Sequence, residues 1–214
     1  MRQSRLFLVF EGGEGSGKST QAKLLARYLE SCGYPVLLTK EPGGNDELCG
    51  EIRKILLDPR HAGQINRETE FMLFEADRAQ HVQRVIDPAL ADGKIVICDR
   101  YEASTYAYQC GGRNVCGSRD FELINGLATQ GLRPDFTFWL DIDPEIGLRR
   151  NVEAKKRDRL EMEAIDFHQK VRSGYGYYFS NMAEEGRWAK FDAQQEIEAI
   201  HGQIVSVLHD RVLK

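Results

Sequence analysis

Little in this sequence marks a secreted, membrane-bound or metal-built protein. No two cysteines form a CxxC pair, and the five present (Cys32, Cys49, Cys98, Cys110 and Cys116) are an odd number. Neither a disulfide framework nor a zinc site is expected, because the five histidines keep no metal-ligand spacing with them. Positive charge is not in excess either. The formal net charge is −4, so no overall basic field draws the chain to nucleic acid or an anionic membrane. Any anion it binds must be held by locally clustered donors. Long apolar runs are missing: Leu6–Phe10 is five residues and runs straight into Glu11. That is too short for a signal-peptide core, and no segment nears the roughly 20 residues of a membrane span. The expectation is a soluble, cytoplasmic protein with reduced thiols. Internal repeats and low-complexity linkers are also lacking.

What is present is an ordinary globular chain of 214 residues with 42% hydrophobic residues, a length that favours one domain over 1–214. Apolar, strand-like runs occur at Leu6–Glu11, Val36–Lys40, Ile95–Cys98 and Phe136–Leu140, with a shorter one at Trp188–Phe191. Helical patterns fill gaps between them: Gln21–Cys32, ended near Gly33; Arg67–Ile86, stopped by Asp87-Pro88; a start at Asp143-Pro144-Glu145; and Asp192–Val212. Such alternation predicts an α/β fold, a parallel sheet with helices on both faces.

Gly12-Gly13-Glu14-Gly15-Ser16-Gly17-Lys18-Ser19 fits GxxxxGK[ST] in full, and Thr20 follows. The motif lies between an apolar strand and a helix, where its mechanism needs it. Glycines let backbone N–H groups turn inward around phosphate, and the helix N-terminus adds a favourable dipole. Lys18 should reach the β/γ-phosphates, and the Ser19 hydroxyl should sit on Mg²⁺. The NKxD and DxxG motifs of GTPases are absent, so by analogy of fold a small P-loop protein of this kind moves a phosphoryl group to a small acceptor.

Asp99-Arg100-Tyr101 follows a strand, at the carboxyl end where open α/β sheets bind ligands. Arg100 can offer a planar fork to phosphate, and Asp99 can orient it or hold water on Mg²⁺; the alternative is a surface ion pair. Phe74 and Arg78 share one helix face. They suit a flat heterocycle with a carbonyl edge, or else Phe74 is core. Ser104–Gln109 supplies hydroxyls and an amide for a base or sugar, or only a polar helix face. Between Arg149 and Arg159 the chain reads RRNVEAKKRDR. That run is either a solvated face or a mobile basic lid closing over ATP, since the phosphate loop itself holds only one cation, Lys18.

Together, FEGGEGSGKST, KEPGG, FMLFEADRAQHV, CDRYEASTYAYQCGG and DRLE resemble the thymidylate kinase family in order and spacing, from about Leu6 to Glu161. The resemblance implies a P-loop nucleoside monophosphate kinase-like fold with a five-stranded parallel sheet, and the reaction ATP + dTMP giving ADP + dTDP with Mg²⁺. It also implies a homodimer. By the same resemblance Glu14 would contact the sugar 3′-hydroxyl, Phe74 would stack on thymine and Arg78 would bond its carbonyl. Arg100, with Arg53, would hold the acceptor phosphate. Glu41, Thr105, Tyr108 and Gln109 would complete the pocket, Tyr108 near the place of a ribose 2′-hydroxyl. An acidic Glu14 followed by Gly15 is similar to the bacterial subtype whose catalytic arginine lies in the lid, here about 144–160. The lid departs from that pattern: Val152 and Ala154 intervene and the positive charge lies at Lys155–Arg157, and Arg150 or Arg157 is expected as the catalytic cation. Asn45 stands where the family often has threonine. The rival readings are a kinase for another nucleoside or nucleotide, and a non-catalytic nucleotide sensor.

Overall fold

The computed structural model describes residues 5–153 and 158–213, Glu153 by its backbone alone. Five parallel strands form one sheet in the order β2-β3-β1-β4-β5. They are β1 (Leu6–Glu11), β2 (Val36–Lys40), β3 (Ile95–Asp99), β4 (Phe136–Asp141) and β5 (Trp188–Asp192). All five strands read from the sequence are present, the last three ending one residue later than the apolar run. In register, Phe10 of β1 stands beside Asp99 of β3 and Phe138 of β4. Because β1 lies between β3 and β4, the chain leaves it for opposite sides of the sheet. The crevice beyond its carboxyl end is therefore the fold's natural ligand site.

Alternation along β1 builds two cores. Leu8 and Phe10 pack with Leu25 and Leu29 of α1 (Lys18–Ser31) and with Ile204 and Leu208 of α9 (Ile197–Arg211). Phe7 and Val9 face the other way, toward Val82, Ile86, Leu90 and Tyr101. A third, mostly aromatic cluster joins Phe71, Tyr106, Phe121, Trp139, Tyr175 and Phe179. The central strands β1, β3 and β4 are thus clothed on both faces, as near-continuous apolar runs require, while the edge strands β2 and β5 are only half-buried.

Among the described residues, the helices α2 (Glu47–Leu57), α6 (Ser118–Thr129), α8 (Ile165–Asn181) and the one-turn α5 (Glu102–Thr105), which runs on into a π-helical stretch at Tyr106–Gly112, escape the periodicity reading. The helix read as Arg67–Ile86 begins as α3 (Arg67–His81), but Asp87-Pro88 does not stop it. Val82–Ile86 widens into a π-helical turn in which the Asp87 N–H bonds the Val82 carbonyl. α4 (Asp87–Ala91) then starts with Pro88 in its first turn. The wider turn suits a residue with no N–H and a ring that would clash with a tighter ladder. The last helix begins at Ile197, since Asp192 belongs to β5.

Candidate active site

A cleft of about 540 Å³ opens at the carboxyl ends of β1, β2 and β3. Its volume lies within the range of small-molecule sites. Glu14, Gly15, Gly17, Lys18, Ser19 and Thr20 form its donor wall. No side chain caps α1, which starts at Lys18. Its first-turn amides are therefore open to an anion. Gly12, Gly13 and Ser16, of the same loop, do not line the cleft. Lys18 Nζ donates to the Gly13 carbonyl at 2.7 Å and to Ser16 Oγ at 3.2 Å. Burial and the nearby Arg100 lower the Lys18 pKa, to about 8 despite the acids around it.

Ser19 Oγ donates to Asp99 Oδ2 in a short bond. The other oxygen, Asp99 Oδ1, is buried with no hydrogen-bond partner among the described residues. A hydroxyl and a carboxylate with one oxygen unspent are hard donors, so this pair fits Mg²⁺.

Arg100 sits at φ 76°, in the left-handed region that few side chains adopt. This turn sends its guanidinium back over the phosphate loop. Nη1 donates to the Gly12 carbonyl at 3.0 Å, and Nη2 meets Glu14 Oε1 at 2.6 Å. Tyr108 donates its hydroxyl to the same Glu14 oxygen at 2.7 Å. Burial pushes the Glu14 carboxyl up, but Arg100 and Lys18 more than offset it and hold the group at about 2. Beneath this pair Glu11 accepts from the Tyr101 and Ser104 N–H groups and from Ser104 Oγ. Burial lifts its pKa to about 7.

The acceptor wall is made of side chains. Phe74 is half-buried and lines the cleft, whereas Phe71, one turn earlier, is the core residue of that helix. Arg78 is 1% exposed and fully engaged. Nε and Nη2 reach Glu41, Nη1 reaches Glu75 and Asn125, and Nη2 also reaches Thr105 Oγ1 at 2.9 Å. Burial alone would lower its pKa; Glu75 and Glu41 raise it above the ordinary value.

Glu41 was expected to bind substrate directly. Both its oxygens are taken, Oε2 by Arg78 and Oε1 by His81 Nδ1 at 3.0 Å. It lines the cleft and at the same time supports Arg78. His81 is held from its other side by Thr39 Oγ1 at 2.8 Å. Gln109 lines the cleft while its amide donates to Glu70 at 2.9 Å. Arg53 lines it too, tied by Nη1 to the Pro42 carbonyl at 2.7 Å. A Cβ on Gly43 would meet the Arg53 Cδ at 2.6 Å, so the glycine pair lets that arginine cross the turn. Asn45, at φ 43°, closes the turn in a conformation asparagine tolerates.

The expected lid divides. Pro144–Glu153 is helix α7, docked so tightly that a Cβ on Gly15 would overlap the Gly147 carbonyl. Arg150, expected in catalysis, does not line the cleft in this state. Its Nη1 donates to the Ala193 carbonyl at 2.8 Å and to Gly15 at 3.4 Å, bracing the loop from behind. Arg157, the other candidate, lies outside the described residues. Arg159 is buried rather than solvated, with Nη1 on Glu70 Oε2 at 2.5 Å and Nε on the Leu56 carbonyl. Asn151, Asp158, Leu160 and Glu161 complete the cleft.

The sequence reading passed over Glu11, Glu70, Glu75, His81 and Tyr175. For Glu75 and His81 a signal existed, since both lie within one turn of Arg78 along α3. Glu11 was marked only by its charge at the end of an apolar strand. Tyr175, whose hydroxyl reaches the Gly12 carbonyl at 3.0 Å, carried no local signal.

Comparison with known proteins agrees with this geometry. A family model described as thymidylate kinase matches residues 10–204. A thymidylate kinase of Dehalococcoides mccartyi is 46% identical over 206 residues, covering 95% of this chain and 96% of the relative. One from Trichormus variabilis is 44% identical over 208 residues, covering 94% of each. One from Acholeplasma laidlawii is 44% identical over 211 residues, covering 98% and 99%. The chain belongs to the thymidylate kinase family.

Proposed function

We propose that the protein transfers the γ-phosphoryl group of ATP to dTMP, giving ADP and dTDP, by direct in-line displacement. One observation carries the reading. A phosphate loop and an arginine, Arg100, share a cleft with a half-buried aromatic ring, Phe74, flanked by a buried guanidinium. The donor phosphates lie on the loop amides and Lys18. Thymine rests on Phe74, and a carbonyl approaches Arg78 by sharing the Nη2 now on Thr105. The acceptor phosphate competes with Glu14 for Arg100, and Arg53 adds a second cation. Glu14, freed of that pair, turns to the sugar 3′-hydroxyl, and Tyr108 crowds the 2′ position.

Ser19 and Asp99 would hold Mg²⁺, which when bound screens charge on the phosphate oxygens. No strong base is required, because the acceptor phosphate is already ionised. The basic segment at about 144–160 is the lid of this one-domain kinase. Within it Arg150 reaches the transferred group only by releasing Ala193 and Gly15. A homodimer belongs to the same reading. It is supported by Leu48, Met72, Leu123 and Leu127, exposed by 54%, 52%, 75% and 82% on the neighbouring helices α2, α3 and α6. No described helix is long and apolar enough to cross a membrane, which is in keeping with a cytoplasmic enzyme.

A coupled ADP-release assay over dTMP, dUMP, dCMP, dGMP and dAMP tests the assignment. The highest kcat/KM should belong to dTMP. A clear preference for a purine, or tight binding of ATP and dTMP without dTDP, would overturn it.

A further inference from the structure

Cys110 and Cys116 stand at the two ends of the turn that follows Gln109. Both are free thiols, and their Sγ atoms are 2.9 Å apart. The backbone fixes this approach: the Arg113 N–H bonds the Tyr108 carbonyl at 2.9 Å, and the Val115 N–H bonds the Gln109 carbonyl at 3.0 Å. Arg113 anchors the turn further. Its Nη2 meets Glu163 Oε1 at 2.6 Å, its Nε meets Glu70 Oε1 at 3.1 Å, and its guanidinium lies 4.4 Å from the Phe167 ring centre. A disulfide bond is about 2.05 Å long, so the sulfurs have less than about 1 Å left to travel. Cys110 is buried, at 7% exposure, while Cys116 is half-buried between exposed Asn114 and exposed Gly117. Cys116 is thus the sulfur an outside reagent meets first.

We propose that Cys110 and Cys116 form a modification site, a thiol pair that a low-molecular-weight disulfide of the glutathione type converts reversibly into an intramolecular disulfide. The Cys116 thiolate attacks one sulfur of the reagent, forming a mixed disulfide and releasing one thiol. The Cys110 thiolate then attacks Cys116 Sγ, and the second reagent thiol leaves. Two electrons pass from the cysteines to the reagent disulfide, and the two cysteine protons end on the released thiols. Burial holds both thiols above their ordinary range, so the exchange is slow near neutral pH. Neither sulfur lines the cleft. The cross-link therefore stiffens the wall behind Tyr108 and Gln109 without moving into the substrate's place.

Arg113 lies between the two cysteines, so trypsin separates them unless they are joined. The full chain is treated with oxidised glutathione, its remaining thiols are alkylated, and it is digested without reductant. The expected product is a linked peptide pair, two hydrogens lighter than its separate halves and released by dithiothreitol. Cys110→Ser should stop Cys116 at the glutathione adduct, and Cys116→Ser should leave Cys110 free. Oxidised wild type should melt several degrees above the reduced form, with kcat/KM within about twofold, and Cys116→Ser should show no such rise. A lasting glutathione adduct on wild-type Cys116, two freely alkylated thiols, or an unchanged melting point in a linked protein would overturn the proposal.

Discussion

The two walls of the cleft hold charge by different means. The donor wall relies on main chain: loop amides, the uncapped start of α1, and one lysine folded against the Gly13 carbonyl. The acceptor wall relies on side chains drawn from distant stretches, with Glu41, Glu75, Asn125 and Thr105 all converging on Arg78. A backbone site is compact in sequence and stays open to its ligand. A side-chain network instead satisfies itself when empty, so its ligand must share or displace bonds already made. The Arg100–Glu14 pair joins the two walls.

The sharpest way to separate the walls is to remove one cation from each. Lys18→Ala should lower kcat about 10³-fold, near 4 kcal/mol of transition-state stabilisation, with the melting temperature little changed. Arg78→Ala should instead cost about 3–5 kcal/mol of folding stability, because it leaves Glu41 and Glu75 buried without their partner. Urea denaturation beside single-turnover kinetics would show both. Equal loss of stability in the two variants would break the distinction.

That distinction explains which parts of the site the sequence disclosed. The GxxxxGK[ST] run is contiguous, and the three central strands stand out as apolar runs because both their faces are buried, the half-buried edge strands β2 and β5 showing shorter ones. Phe74 and Arg78 were readable as a helix pair. The partners that saturate Arg78 were not, since Glu41 and Asn125 come to it only through tertiary packing. Pro88 misled for a local reason, the π-helical turn before it, and a basic run does not say which way Arg150 turns, here onto the Ala193 carbonyl. Helix α2 has only two buried residues, Cys49 and Leu56, and so shows little of an apolar stripe.

pH offers a milder test. The Glu11 carboxyl is raised from 4.5 to about 7 in the fold, so the folded state binds its proton more tightly than the unfolded chain. Its contribution to stability is complete below about 4.5 and is lost as pH rises through 7. The loss is roughly 3 kcal/mol at 1.36 kcal/mol per pH unit. Glu14, held at about 2, acts in the opposite sense: its contribution is present above about 4.5 and lost as pH falls toward 2. Glu11→Gln should therefore gain stability relative to wild type between pH 5 and 8, measured by denaturation at each pH. A constant difference across that window would show that Glu11 does not titrate there. The smallest effect is expected at the ring: Phe74→Leu should raise KM for dTMP about fivefold, near 1 kcal/mol, and leave KM for ATP unchanged. A matching rise in KM for ATP would blur the two walls into one.

A crystal structure with dTMP and a non-hydrolysable ATP analogue bound together is the most direct trial. The thymine ring should lie flat on Phe74, with the monophosphate on Arg100, the Glu14 ion pair opened, and the triphosphate end at Lys18. A nucleotide seated away from Phe74, or one whose phosphate turns from Lys18 while Arg100 stays on Glu14, would contradict the account.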